Sequence, residues 1–165
     1  MKVIALSGTP GTGKSTLAKL LEKEFKFYRL DLHEHYQKIS SGYDRKKKAY
    51  DIDYNKFENL VKKLISEKKK SYPGLIIDTH ISHHLPKQLV DICIILTCND
   101  LKILRRRLVK RKYSKSKVEE NLDAEKFQVC QVEALDQGHK VLTFDTSKGL
   151  EKEKIISQIK SELRT

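Results

Sequence analysis

Residues 8–15 read Gly8-Thr9-Pro10-Gly11-Thr12-Gly13-Lys14-Ser15, and no other stretch constrains the chain as tightly. They satisfy G-x-x-x-x-G-K-[ST] and follow the short apolar run KVIALS (2–7). Leu17, Leu20, Leu21 and Phe25 come next at helical spacing. A buried strand must therefore run into the loop and a helix must leave it. Gly8, Gly11 and Gly13 free the backbone to turn its amides inward, and the helix adds its positive end, so the segment is built to cradle phosphates. In that cradle Lys14 reaches the outer phosphates, Ser15 offers a hydroxyl to Mg²⁺, and Thr16 lies near the α-phosphate.

Apolar runs and helical patterns alternate along the rest of the chain. KFYRLDL (26–32), GLIIDTH (74–80), LVDICIILTC (89–98) and KVLTFDT (140–146) read as strands. Phe57, Leu60, Val61, Leu64 and Ile65 mark one helix, Leu101, Leu104 and Leu108 another, and Ile155, Ile156, Ile159 and Leu163 the last. Val118, Leu122, Val129 and Val132 mark a further helix, expected to break at Glu125. This alternation predicts an α/β protein with a mostly parallel central sheet covered by helices on both faces. The 165 residues suit one compact domain, without repeat or Gly/Ser-rich linker. Two polar segments, about 33–55 and 110–120, interrupt the alternation and read as mobile inserts over the ligand edge of the sheet.

A P-loop holds a nucleotide without saying where the terminal phosphate goes. Asp78 ends an apolar strand, where a carboxylate can hold Mg²⁺ and spread the charge of a phosphoryl group in transfer. His80 lies two residues on and projects to the same face if the strand continues. His33, His35, His83 and His84 raise the question of a metal site, but no cysteine or acid completes a familiar zinc spacing, and His83 and His84 read as exposed loop residues. Arg107 and Arg111, four apart, share a helix face; arginine can both stack on a purine and embrace phosphate oxygens. Closing such a segment over a nucleotide would exclude water from the transfer. No N-K-x-D guanine reader is present.

The 34 basic against 22 acidic residues give a net charge of +12, which attracts polyanions. A solvated lysine-rich surface and a face that contacts RNA both fit, and no stacking aromatics accompany the lysine runs. Cys93, Cys98 and Cys130 form no C-x-x-C pair and suit a reducing compartment. The N-terminal apolar run is too brief for a signal peptide, and no stretch reaches the roughly 18 residues of a membrane span. A soluble cytoplasmic protein with no membrane contact is expected.

GTPGTGKST, IIDTH and RL-x-x-R-x-YS-x-x-K-x-x-EN-x-x-AE, in this order, resemble the small nuclear and archaeal adenylate kinases of the isoenzyme-six, coilin-interacting type. The resemblance runs from about residue 2 to 146 and includes SSGYD (40–44). It implies a P-loop kinase, a three-layer α/β/α sandwich with an NMP-binding insert at about 31–54 and a short lid at about 110–120. ATP and AMP would be substrates and Mg²⁺ the cofactor, with ATP hydrolysis as a second activity. The resemblance makes Gly11, Gly13, Lys14, Ser15 and Thr16 ATP ligands and Arg111 the lid arginine, and draws Asp78 and His80 into phosphoryl transfer. It places FDTSKG (144–149) against the adenine. It also implies a small-subunit ribosomal protein and pre-rRNA as partners in small-subunit maturation, with nuclear localisation in a eukaryote. An ATP-switched assembly factor, or a kinase of a non-nucleotide metabolite, are the alternatives. The chain departs from the pattern twice. Lys112 stands where the family lid has glycine, and the acceptor segment lacks the usual arginine, leaving Arg45 or the lysines at 46–48 as substitutes.

Overall fold

A computed structural model describes residues 1–46 and 49–164. Five parallel strands form the central sheet: β1 (Lys2–Ser7), β2 (Tyr28–Asp31), β5 (Gly74–Asp78), β6 (Ile92–Thr97) and β7 (Val141–Asp145), in the order β2-β5-β1-β6-β7. Between β2 and β5 lie α2 (Tyr36–Ile39), the antiparallel pair β3 (Ser40–Asp44) and β4 (Ala49–Ile52), and α3 (Tyr54–Lys68). The other helices are α1 (Lys14–Phe25), α4 (Leu101–Lys110), α5 (Lys115–Lys126), α6 (Val129–Asp136) and α7 (Lys152–Arg164).

The apolar runs are continuous because β1, β5 and β6 are covered on both faces. Strand alternation divides their side chains between two cores. Val3, Ala5, Leu75, Ile77, Cys93 and Ile95 face Phe57, Val61 and Leu64 of α3. Ile4, Leu6, Ile76, Ile94 and Leu96 face Leu17, Ala18 and Leu21 of α1 and Ile155 and Ile159 of α7. The expected sandwich is therefore present. Burial pushes the Cys93 thiol up to about 12, so it packs as an unreactive apolar group. A smaller cluster of Cys98, Leu104, Leu108, Val118 and Leu122 joins α4 to α5.

One expectation here needs correction. The helical stretch after residue 115 breaks at Gln128, which takes a left-handed φ of 51°, and not at Glu125. Glu125 is buried, and its carboxylate accepts the Cys98 amide at 2.6 Å. A buried acid with a main-chain partner belongs inside a helix without ending it. The polar segment 33–55, expected as an insert, carries secondary structure of its own. After a 3₁₀ turn, Leu32–His35, it forms α2 and the β3–β4 hairpin, anchored by buried Ile39 and by the Asp53 amide on the Ile39 carbonyl at 2.9 Å. Of the substitutes for the acceptor arginine, Arg45 and Lys46 lie exposed in the hairpin turn, and Lys47 and Lys48 lie outside the described residues.

No described helix is long and apolar enough to cross a membrane. At Gly74, which opens β5, a Cβ would fall 2.3–2.4 Å from ring atoms of buried Phe27. Gly74→Ala should therefore destabilise the protein by about 1–3 kcal/mol, read as a lower urea midpoint at unchanged slope.

Candidate active site

In a parallel sheet the C-terminal strand ends share one edge, and ligands bind there at the point where the strand order reverses. β1 sits at that reversal, flanked by β5 and β6, and ends at Ser7. The chain then turns through Gly8, Gly11 and Gly13, all at positive φ, and enters α1 at Lys14. All residues of the phosphate motif thus stand where the sequence placed them.

Lys14 Nζ donates to the Gly8 carbonyl at 2.6 Å and the Thr9 carbonyl at 3.0 Å. Burial of the ammonium lowers its pKa to about 8, and Arg111 adds to the lowering. Ser15 Oγ lies 3.5 Å from Asp78 Oδ1. Asp78 is buried, and its other oxygen accepts from Arg29 Nη2 at 2.6 Å and Nε at 3.1 Å. Arg29 also donates to Asp31 at 3.0 Å. Sequence reasoning missed Arg29; its one visible signal was a charged residue inside the run KFYRLDL. The pairing leaves Asp78 Oδ1 facing the exposed Ser15 hydroxyl. These two hard oxygen donors are of the kind that would hold Mg²⁺.

His80 follows on the same edge with an exposed surface. The protein packed behind it and the Lys14 charge still depress its pKa to about 4, so the imidazole is neutral near pH 7. His83 does not fit its expected place. It is 2% exposed, with Nδ1 2.7 Å from Ser7 Oγ and Nε2 2.8 Å from Glu133. Desolvation lowers its pKa.

A cleft of about 660 Å³ lies beside the loop, lined by Gly11, Gly13, Thr16, Arg111, Thr146 and Gly149 among others. This volume suits a nucleotide-sized ligand. Arg107 forms part of its wall. The guanidinium donates to the Thr146 carbonyl at 2.7 Å, to Thr146 Oγ1 at 3.2 Å and to the Gly11 carbonyl at 3.3 Å, which makes it a brace between loops. Arg111, at the C-terminal cap of α4, is exposed and pairs with no carboxylate among the described residues. The expected lid is mostly helix. Only Arg111–Ser114 separate α4 from α5, Ser114 caps α5 through the Lys117 amide, and Tyr113 packs on the α4–α5 cluster. Lys112 has φ 59°, the left-handed conformation that glycine serves at no steric cost.

Sheet order, motif and cleft define a P-loop α/β protein. A family model described as an AAA domain matches residues 4–128. A "Putative adenylate kinase" of Thermococcus onnurineus is 32% identical over 164 residues, covering 99% of this chain and 84% of the relative. "Adenylate kinase isoenzyme 6 homolog FAP7" of Saccharomyces cerevisiae is 32% identical over 136 residues, 81% of this chain and 66% of the relative. Among solved structures, a "putative kinase" from Chloroflexus aurantiacus superposes with a TM-score of 0.66 at 16% identity, covering 99% of this chain and 96% of the other; it shares the fold. The chain belongs to the P-loop nucleoside monophosphate kinase family, alongside these relatives named as adenylate kinases.

Lys14 gives a pH signature. Its pKa falls from 10.5 to about 8 on folding, so between those values the unfolded chain binds the extra proton and stability rises with pH. In urea titrations, wild type should gain stability over Lys14→Met from about pH 8 to 10.5, with a constant difference below pH 8. A difference that stays flat throughout contradicts the assignment. Lys112→Gly should stabilise the fold by about 0.5–1 kcal/mol, because relief of left-handed strain exceeds the added entropy of the unfolded chain.

Proposed function

We propose that the protein is a Mg²⁺-dependent adenylate kinase that transfers the γ-phosphoryl group of ATP to AMP and forms two ADP. One observation carries the reading. The phosphate loop with its cleft and the 31–54 insert both emerge from the C-terminal edge of the sheet, with Asp31 at the end of β2 in register with Asp78 at the end of β5. An ATP phosphate chain on the loop would then face an acceptor held by the insert. His33, Tyr36, Tyr50 and Tyr43 form a continuous aromatic row there, with neighbouring ring centroids 5.0–5.7 Å apart, suited to stacking a second base. The relatives named as adenylate kinases support the same reading.

In the transfer, a phosphate oxygen of AMP bonds to the γ-phosphorus as the bond to the β–γ bridging oxygen breaks. Little covalent help is needed; positioning and charge do most of the work. Gly8, Gly11 and Gly13 present main-chain amides to the triphosphate, Thr16 reaches its inner part, and the 144–149 loop backs the adenine. Lys14 and Arg111 neutralise the outer phosphates. Ser15 and Asp78 hold Mg²⁺, which spreads the charge of the phosphoryl group when bound. Arg107 acts by bracing the cleft wall.

Exposed His80, beside Asp78 and Lys14, supports ATP hydrolysis as a second activity: a neutral imidazole at that edge can orient water. With the +12 charge and the resemblance to isoenzyme-6-type proteins, this favours a cytoplasmic ATP-dependent factor that engages a small-subunit ribosomal protein and pre-rRNA.

Purified protein given ATP, Mg²⁺ and AMP should produce ADP, and a two-headed diadenosine polyphosphate should inhibit it competitively against both substrates. Lys14→Ala should lower kcat/KM by at least ~10²-fold. Arg111→Ala should lower kcat more than it raises KM. If no monophosphate tested is consumed to its diphosphate, the kinase reading ends, and ADP formed with release of inorganic phosphate would leave the hydrolytic one.

A further inference from the structure

The buried histidine that the phosphate site does not use lies beside two further metal-ligating groups. His83 and His84 come from the turn Ser82–His84 and Glu133 from α6, fifty residues further along. Glu133 Oε2 lies 2.8 Å from His83 Nε2 and 3.7 Å from His84 Nε2, and one ligand atom from each residue falls within 4.8 Å of the others. A tetrahedral ion with bonds of about 2.0–2.1 Å needs its ligand atoms roughly 3.3 Å apart. The three groups already bracket that spacing.

The hydrogen-bond inventory points the same way. Ser7 Oγ lies 2.9 Å from the His80 carbonyl and 2.7 Å from His83 Nδ1; if its single proton goes to the carbonyl, Oγ accepts from Nδ1. With the ring proton on Nδ1, the Nε2 lone pair faces a carboxylate oxygen at hydrogen-bond distance. Two acceptors so placed repel each other unless a cation sits between them. Hydrogen bonding of the far ring nitrogen to fix the tautomer is the usual support for a metal-bound histidine. The rings are also held. His139 Nε2 bonds to the His83 carbonyl at 3.0 Å, and Tyr54 packs edge-on against His84 with centroids 4.9 Å apart.

We propose that His83, His84 and Glu133 form a divalent-metal site behind the phosphate loop, with a donor set of two imidazoles and one carboxylate that selects Zn²⁺ over Mg²⁺. His83 is closed off, while His84 and Glu133 are 28% and 43% exposed and give an ion its entry. The bound ion would tie α6 to the 82–84 turn and, through Ser7, to the end of β1. This site is independent of the kinase reading, because none of its ligands belongs to the phosphate edge.

The full chain, stripped with chelator and kept free of nucleotide and Mg²⁺, is titrated with Co²⁺ and followed by its visible ligand-field absorption. The expected result is a band that saturates near a single equivalent and is bleached by Zn²⁺. His84→Asn and Glu133→Gln should each weaken binding by at least ~10-fold. Asp78→Asn should leave the band unchanged, which separates this site from the phosphate edge. Metal-free urea midpoints confirm that each variant folds, and His84→Ala replaces either variant that does not. No band, a band that survives loss of both His84 and Glu133, or one abolished by Asp78→Asn would overturn the proposal. A silent titration would also mean that the Ser7 proton goes to His83 and Nε2–H to Glu133.

Discussion

The close approach of Gly8 to the end of β6 is the constraint on which the phosphate edge depends. A Cβ at Gly8 would lie 2.3 Å from the Leu96 carbonyl oxygen, and the residue has φ 135°. Main chain therefore meets main chain where β1 gives way to the loop, and only glycine permits it. The same region is tied at a second point. Thr146 Oγ1 lies 2.8 Å from the Thr12 carbonyl and 2.9 Å from the Thr97 carbonyl, while Arg107 donates to both atoms of the Thr146 cap. The loop after β1, the end of β6 and the loop after β7 are thereby held as one rim. A rim of main-chain donors fixed in advance is what electrostatic stabilisation of a transferring phosphoryl group needs, since donors that must reorganise lose much of their effect.

Charge at this rim is arranged asymmetrically. Arg107, Lys110, Arg111 and Lys152 line the cleft, while the buried carboxylate of Asp78 is neutralised by Arg29 from the neighbouring strand. Burying Asp78 unpaired would be costly; pairing both its oxygens would leave nothing to hold a cation. Arg29 takes one oxygen and leaves the other beside Ser15. The pKa of Lys14 is depressed chiefly because its ammonium is buried in the loop, and Arg111 adds to the effect while Asp78 opposes it. An incoming polyphosphate relieves that strain. Binding and folding are opposed at this residue.

What the sequence made legible was whatever is contiguous. The phosphate loop, the strand before it and the helix after it form one segment whose spacing carries the geometry. The buried strands were equally plain, since continuous apolar runs leave few alternatives. What escaped were contacts between distant residues: Arg29 with Asp78, 49 apart, Glu125 with Cys98, 27 apart, and His83 with Glu133, 50 apart. A polar residue in a sequence window says nothing of the partner that will bury it, so His83 resembled a solvated loop residue and Glu125 a helix breaker. The β3–β4 hairpin was hidden for a related reason. Its strands of five and four residues are half exposed and joined by a basic turn, so they give little of the apolar alternation that marks a strand.

The α4–α5 connection shows how a departure from the family pattern is accommodated. Lys112 adopts the left-handed conformation although it has a side chain, so the backbone path is set by its neighbours and not by the residue itself. Those neighbours are Tyr113, packed onto the α4–α5 apolar cluster under the Lys117 ammonium at 4.4 Å, and Ser114, which caps α5. Four residues anchored at both ends cannot swing as a long lid would. The backbone of Arg111 is thus held at the C-terminal cap of α4, beside the cleft, while its exposed side chain is free to turn toward a ligand. On the proposed reading this trades closure for preorganisation. Less backbone motion is then needed to bring the guanidinium to the phosphates.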